Sequence, residues 1–172
     1  RLIAIAKHGI PHIFPEEAIE EATLAAKLTL NEEHREDLRH LPFIAIDPPD
    51  ARDHDDAIWA QPDGDGHFDA AIAIADVSYY VRAGGHLDKE ARRRGNSVYF
   101  PDRVVPMLPE ILSSDVCSLK AGQDRAAIVC HLKFDSNGSI LKKNFRRALV
   151  NLKNNFSYEV AQSLVINGDA PK

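Results

Sequence analysis

The residues best suited to chemistry in this sequence are five aspartates within ten positions: Asp47, Asp50, Asp53, Asp55 and Asp56. Like charges at this density repel one another unless a cation or a cationic ligand gathers them. Carboxylate oxygens are hard donors, which suit Mg²⁺ or Mn²⁺ better than zinc. Carboxylates that meet at one point commonly hold divalent ions that clamp a phosphoryl group and activate water. The spacing therefore favours a hard divalent cation at this segment, with phosphoryl transfer as the reaction class.

The chain on both sides of the aspartates must hold them in place. Apolar runs flank the segment, and Pro48 and Pro49 prevent a regular helix at its centre. We therefore expect a rigid loop between two buried strands, which argues against a solvated acidic turn. A calcium EF-hand is excluded. A loop that began at Asp53 would have Ile58 where that motif needs glycine and Gly64 where it needs glutamate.

Length and composition indicate one soluble globular domain. The chain has 172 residues, of which 44% are hydrophobic and 27% charged. Its net charge of -5 equals the charge of the five loop aspartates, so overall acidity indicates no class of partner. Cys117 and Cys130 lack zinc-ligand spacing, and we expect buried reduced thiols in a cytoplasmic protein. No membrane span or signal peptide is predicted, and the start at Arg1 inside an apolar run suggests a piece of a longer protein.

Apolar periodicity and turn residues predict an α+β fold with a mixed or antiparallel sheet and flanking helices. The small apolar residues of the second hairpin strand favour a strand that is covered on both faces. The predicted segments are a strand end at 2–6, a helix from Pro15, a polar linker or short surface helix at 28–40, a hairpin of strands 57–61 and 68–77, a helix at 86–94 ending at Gly95, extended segments at 98–101 and 104–109, paired strands at 126–134 and 139–150, and a helix from Ser157 to Asn167.

Four stretches, of which the first contains the aspartates, carry longer motifs than the aspartates alone. They are IDPPDARDHDD at 46–56, AIADVSYYV at 73–81, RGNSVYFP at 94–101 and PMLPEILSSDVCSL at 106–119. In this order they closely resemble the RNB family of exoribonucleases, the group of ribonuclease II and ribonuclease R. The opening KHGIPHIFP is similar to a segment of the ribonuclease R branch that follows its cold-shock domains. The resemblance implies that residues 1–40 lead from a cold-shock region into the catalytic domain, and that 41–172 are the truncated N-terminal portion of that domain.

The same resemblance implies an enzyme: a Mg²⁺-dependent, processive 3′-to-5′ exoribonuclease that hydrolyses single-stranded RNA to nucleoside 5′-monophosphates, with Mn²⁺ as a substitute metal. In the family, the member that matches Asp55 is the most critical for the chemical step. Asp50 fits the motif but matches no family ligand, and we expect it to cap the loop. We expect Arg52 to neutralise Asp50 or Asp47. The residues that match family metal ligands are Asp47, Asp53, Asp55 and Asp56.

Candidate RNA contacts follow from the resemblance and from charge. Tyr99 matches a family tyrosine that stacks on the 3′-terminal base, and Tyr158 resembles a tyrosine near the same end. Arg92, Arg93 and Arg94 are consecutive cations that suit contacts to phosphate, but a charge run is equally typical of a solvated helix face. Both interpretations of the arginines stay open at this point.

Two other functions compete with the enzyme. One is a non-catalytic fragment or relative that grips RNA or metal without cutting, and the other is an unrelated metal-dependent phosphoesterase. The complete set of four matching aspartates favours the enzyme, and the long downstream motifs argue against the unrelated phosphoesterase. Because the family's catalytic domain continues beyond the motifs found here, we expect the site of this chain to be incomplete alone.

Overall fold

The computed structural model describes residues 2–168, which form two compact units. One unit comprises residues 2–29 and Val77–Val116, and the other comprises Leu30–Asp76 and residues 117–168. In chain order the elements are α1 (Leu2–Lys7), α2 (Glu16–Ala25), β1 (Glu36–Asp37), β2 (Ile44–Asp47), β3 (Asp56–Pro62), β4 (Phe68–Ala75), α3 (His86–Arg94), β5 (Val98–Phe100), β6 (Arg103–Val105), β7 (Asp124–Phe134), β8 (Ile140–Asn151), β9 (Asn154–Ser157) and α4 (Tyr158–Asn167).

The first unit contains α1, α2, α3 and the hairpin of β5 and β6. Helix α2 begins directly after Pro15, as predicted, with acidic residues in its first turn that favour the helix dipole. Helix α3 ends at Gly95, whose φ of 79° is a conformation that residues with a Cβ rarely adopt. The predicted strand end at 2–6 is wrong, because these residues form α1. An apolar run this short cannot be assigned to helix or strand from periodicity alone.

The second unit is built on a seven-stranded sheet with the order β1-β8-β7-β4-β3-β2-β9. The pairs β1–β8 and β2–β9 are parallel, and the remaining neighbours are antiparallel. Strands β3 and β4 form the predicted hairpin, and so do β7 and β8. The mixed sheet with its helices confirms the α+β prediction.

The two faces of this sheet differ in burial. One face carries small residues such as Ala71, Ala73 and Val129, each fully buried in a core with Phe43 and Leu119. Small side chains let the covering segments approach the sheet closely. The other face carries large aliphatic side chains that are substantially exposed, so the prediction of cover on both faces of the second hairpin strand is not met within residues 2–168.

The two cysteines are both free thiols. Cys117 is buried as predicted. Its burial, and to a smaller extent repulsion from Asp55, raise the pKa of its thiol to about 12. Cys130 is only partly buried, because it lies on the exposed face of the sheet. Within the described residues, we find no helix with the length and apolar character needed to cross a membrane.

Candidate active site

The aspartates lie on the connection between two strands of the sheet. Asp47 is the last residue of β2 and Asp56 is the first residue of β3, so the intervening aspartates occupy the loop between them. A turn in this loop is closed by the Ala51 amide, which donates to the Pro48 carbonyl at 3.0 Å. The predicted loop between two strands is therefore confirmed, but β3 is not a buried strand, since one of its faces is exposed. We call residues 47–56 the aspartate loop.

A third strand borders the aspartate loop from the far end of the chain. Strand β9 pairs in parallel with β2, and this register puts Ser157 opposite Asp47. Ser157 also caps α4, because its hydroxyl accepts a hydrogen bond from the Val160 amide at 3.3 Å. Tyr158 is the first residue of α4 and is 55% exposed. The pairing therefore places Tyr158 next in sequence to the residue that faces Asp47.

The buried residue Ser118 holds the backbone in the middle of the aspartate loop. Its side chain is completely buried, and its hydroxyl accepts a hydrogen bond from the His54 amide at 3.0 Å and donates one to the Arg52 carbonyl at 2.9 Å. The Leu119 amide donates to the His54 carbonyl at 2.8 Å. Ser118 is itself fixed by Arg125, whose Nε donates to the Ser118 carbonyl at 2.8 Å. These contacts hold the backbone of the loop to the buried core of the unit.

Sequence reasoning missed this role of Ser118. The residue lies in the proline-rich motif at 106–119, which the resemblance marked without giving its serines a task. The one available signal was that this motif accompanies the aspartate motif in the family. Hydrogen bonds between segments 64 and 66 positions apart leave no pattern in a single sequence.

His54, rather than Arg52, contacts an aspartate of the loop. Its Nδ1 lies 2.6 Å from Oδ2 of Asp47, and both side chains are mostly buried. The expectation that Arg52 neutralises Asp50 or Asp47 is wrong for the described residues, where no ion pair joins it to either one. The reason is the anchor at Ser118, which fixes the His54 backbone where its ring reaches Asp47, while Arg52 is exposed.

The electrostatics of the loop centre on Asp55. Loss of water around its carboxyl group raises the pKa of Asp55 above its ordinary value, and repulsion from Asp53, Asp56 and Asp47 raises this pKa further. His54 acts in the opposite direction. Asp55 is still exposed to solvent, so a cation could reach its carboxylate. The positive charge of a bound cation would offset the repulsion among the carboxylates directly.

The loop offers the donor chemistry of a Mg²⁺ or Mn²⁺ site, since its four interacting carboxylates supply only hard oxygen ligands. Within residues 2–168, however, no three or more histidine, cysteine, aspartate or glutamate side chains already converge in a metal-binding arrangement. The residue types and their mutual repulsion fit a divalent cation, while the ligand geometry is not preformed.

Four of the five predicted RNA contacts, all except Arg94, lie at the surface of the units that carry them. Tyr99, in β5 of the first unit, is 64% exposed. Arg92 and Arg93, in the last turn of α3, are largely exposed and pair with Asp88 at 3.1 Å and Glu90 at 3.0 Å, respectively. Tyr158 belongs to the second unit, as do all the loop aspartates. The structure thus groups Tyr158 with the aspartates, and Tyr99 with the arginines.

Arg94 differs from its two neighbours because its side chain is only 2% exposed. Its Nε donates to Glu90 Oε1 at 2.9 Å, its Nη1 donates to the Pro106 carbonyl at 2.9 Å, and its guanidinium lies 3.5 Å from the centre of the Phe14 ring. The guanidinium of Arg94 is therefore engaged inside the first unit. Its contacts join α3 to the segment that follows the hairpin bearing Tyr99.

Comparison with known proteins gives a consistent result. The RNB domain model matches residues 35–172. Ribonuclease R of Vibrio parahaemolyticus serotype O3:K6 is 44% identical over 170 residues, and ribonuclease R of Escherichia coli strain K12 is 44% identical over 159 residues. These alignments cover 97% and 91% of this chain. They cover 20% and 19% of the relatives, so the chain spans about a fifth of the length of the curated relatives it matches.

Solved structures show the same likeness. Mycoplasma genitalium RNase R in complex with double-stranded RNA has a TM-score of 0.87 and 33% identity, over 98% of this chain and 30% of that chain. The same RNase R in complex with ribose-methylated single-stranded RNA gives a TM-score of 0.86, with 33% identity over 98% of this chain and 26% of that one. Yeast Ssd1, a pseudonuclease, shares the fold with a TM-score of 0.74 at 21% identity, over 84% of this chain and 18% of that chain.

Proposed function

Since this chain belongs to the RNB-domain family, we propose that its aspartate loop is the metal-holding part of the active site of an exoribonuclease. The longer protein that contains these residues is a Mg²⁺-dependent, processive, cytoplasmic enzyme. It hydrolyses single-stranded RNA from the 3′ end and releases nucleoside 5′-monophosphates. Residues 1–40 lead into the catalytic domain, and residues 41–172 form its N-terminal portion. The observation that carries the proposal is one loop of mutually repelling carboxylates, pinned to the core by Ser118.

The aspartates have separate tasks in this proposal. Asp47, Asp53 and Asp56 hold Mg²⁺, or Mn²⁺ in its place, and Asp55 both shares in the binding and orients the attacking water. When bound, the metal supplies stabilisation of the charge that develops on the scissile phosphate. His54 keeps the Asp47 carboxylate in a fixed orientation through their 2.6 Å contact. Asp50, which is exposed, is left with no part in the chemistry.

The RNA is gripped by aromatic rings and by exposed cations. Tyr99 stacks on the 3′-terminal base, and Tyr158 contacts RNA near the same end, since exposed rings offer platforms that every base can use. Arg92 and Arg93 contact phosphates with guanidinium groups that lie at the surface. Arg94 supports the hairpin that carries Tyr99 from inside the unit, because its buried guanidinium is engaged by Glu90 and Pro106.

A second candidate function is RNA or metal binding without cleavage. The observation in its favour is that, among residues 2–168, the carboxylates do not already form a set of three metal ligands. The complete set of four aspartates favours the enzyme, since a protein that only bound RNA would need no such concentration of negative charge beside a polyanion.

The test uses the complete longer protein with single-stranded RNA that is labelled on every phosphate, in the presence of Mg²⁺. We expect monophosphate products without intermediates of middle length, and a rate at least about 1000-fold lower for Asp55→Asn, because metal-assisted charge stabilisation contributes several kcal/mol. Asp50→Asn is the matched control in the same loop and keeps the wild-type rate. Equal rates for wild type and Asp55→Asn would refute the assignment. A wild-type protein that binds RNA and leaves it intact would establish the second candidate.

A further inference from the structure

A buried ion pair joins Arg35 to Asp76 in the second unit. Nη2 of Arg35 donates to Oδ2 of Asp76 at 2.8 Å, and the two side chains are only 4% and 0% exposed. Nη1 of Arg147 lies 3.5 Å from the same oxygen, but the Arg147 side chain is 54% exposed. A charge that is this well shielded from water is costly unless its partner is held in good geometry, so the position of Asp76 depends on Arg35.

The pair lies next to the segment that holds Asp55. Asp76 directly follows Ala75, the last residue of β4, and the Ala75 amide donates to the Asp55 carbonyl at 2.9 Å. The Asp76 amide donates to the carbonyl of Ala126 in β7 at 3.0 Å. The end of β4 is therefore fixed by both the backbone and the side chain of Asp76, and it is linked to Asp55 by the hydrogen bond from Ala75.

The charge of Asp76 also reaches the surroundings of Asp55. Burial first, and then repulsion from Asp55 and from Asp76, raise the pKa of the Cys117 thiol to about 12, so both carboxylates act on the same buried group. The guanidinium of Arg35 offsets the charge of Asp76 at a short distance. Without it, a further negative charge would lie close to a loop whose carboxylates already repel one another.

Stability alone does not account for this pair. Apolar residues of similar volume often stabilise a protein interior as well as a buried ion pair does, or better. A guanidinium and a carboxylate add direction to the contact, because the planar guanidinium donates along fixed axes. A directed contact at the end of β4 is useful where a neighbouring group must be held in a narrow range of positions, as a group in an active site must be.

We propose that Arg35 and Asp76 are positioning residues for Asp55. Their ion pair fixes the end of β4, and the Ala75 amide passes this constraint to the Asp55 backbone, so that the Asp55 carboxylate meets the metal and the attacking water in the required orientation. This inference rests on the proposed function. Since a displacement of about 1 Å at a reacting group can lower a rate by about 100-fold, loss of the pair is expected to act on kcat.

The test removes the pair in two steps in the complete longer protein. Arg35→Met takes the nearer guanidinium away from Asp76, and we expect a lower Tm and a lower kcat on single-stranded RNA. Arg35→Met combined with Asp76→Leu removes both charges, so much of the lost Tm should return. Under the proposal, kcat of this double variant stays about 10-fold or more below the wild type, while KM for RNA stays close to the wild-type value. A kcat that returns together with Tm would overturn the proposal, since the pair would then only stabilise the fold.

Val129→Ala is the matched control for lost stability. Val129 is fully buried in the core of the same sheet, so its truncation opens a cavity and lowers Tm while the ion pair stays intact. All rates are measured at a temperature at which every variant is folded. Val129→Ala is expected to keep the wild-type kcat, and a loss of kcat equal to that of the double variant would overturn the proposal. Should the double variant fail to fold, Asp76→Asn, which keeps the shape and loses the charge, takes its place.

Hydrogen exchange of the Ala75 amide separates this inference from the proposed function. A wild-type protein that leaves RNA intact contradicts the proposed function, and the exchange measurement then decides the positioning role by itself. We expect the Ala75 amide to exchange about 10-fold or more faster in the double variant than in the wild type, because the end of β4 opens more often. Unchanged exchange of this amide would overturn the proposal, whatever the rate of RNA hydrolysis.

Discussion

Replacing Ser118 by alanine tests whether a buried hydroxyl positions the aspartate loop. The hydroxyl makes two hydrogen bonds to the loop backbone, to the His54 amide and the Arg52 carbonyl. The substitution removes one oxygen and leaves the surrounding packing in place, since Ser118 is fully buried and alanine is smaller by that atom alone. The His54 amide and the Arg52 carbonyl then lose this partner, and the middle of the loop is held mainly by the Leu119 amide.

The magnitude follows from these two contacts. Each hydrogen bond contributes about 1 kcal/mol net to stability, so we expect a loss of about 2 kcal/mol. For a chain of this size, that loss corresponds to a decrease in Tm of about 4–8 °C. We expect a second effect on metal affinity. Groups that orient metal ligands typically contribute a factor of about 10–100 to affinity, and Ser118 reaches the carboxylates only through the loop backbone.

The assay is calorimetric titration with Mn²⁺, together with thermal unfolding, on the wild type and two serine variants. Ser118→Ala is expected to fold, to unfold earlier and to bind Mn²⁺ about 10-fold more weakly. Ser113→Ala is the matched control, because the Ser113 hydroxyl makes one long contact to the Leu108 carbonyl at 3.4 Å and none to the loop. Unchanged Mn²⁺ affinity in a less stable Ser118→Ala protein would refute the reasoning, since the hydroxyl would then stabilise the fold without positioning the loop.

Three further predictions concern charge. The hydrogen bond from Arg39 holds the pKa of Asp37 at about 2, below the ordinary 3.8. This pair therefore stabilises the fold above pH 4 and loses that effect as the pH falls towards 2. When the pH is lowered through this range, Tm should fall less steeply in Arg39→Met than in the wild type. Metal binds only the ionised form of Asp55, whose pKa is raised, so Mn²⁺ affinity should rise with pH across the acidic range in which this carboxyl group ionises. Binding in that range should release protons, as titration in two buffers of different ionisation enthalpy would show, and a heat independent of buffer there would contradict this. Arg94→Met should destabilise the protein by about 3 kcal/mol, because it breaks a buried ion pair with Glu90. Arg92→Met, at an exposed position, should change stability by less than about 0.5 kcal/mol. Equal Tm values for the two variants would contradict a structural role for the buried Arg94.

Local signals in the sequence predicted the parts of the fold that depend on neighbouring residues. The hairpin of β3 and β4 follows from its glycine-containing turn, and the start of α2 follows from Pro15 with glutamates behind it. The α+β class follows from the order of such segments. Helix α1 was missed because its short apolar run fits a strand equally well.

The support of the candidate site could not be predicted, because it depends on contacts between distant segments. The motif identified the aspartates, but the anchor at Ser118 and the contact of His54 with Asp47 exist only once the chain is folded. The pairing of β9 with β2 is equally invisible in the sequence, since parallel neighbours can come from any two parts of a chain. Charge alone favoured Arg52 as the partner of the loop carboxylates, whereas the folded backbone brings the ring of His54 to Asp47.

The pairing of β2 with β9 has a consequence for how the protein is made. Asp47 lies early in the second unit, but Ser157, its partner in the sheet, lies near the end of the described chain. A ribosome releases the amino end first, so a nascent chain already displays the aspartates while the strand that borders them is still being synthesised. Contacts between such distant segments also form slowly, because a long loop must close before they bring any stability. The border that β9 gives to the aspartate loop is therefore among the last parts of the unit to form, and it is complete only after residue 157 has emerged from the ribosome.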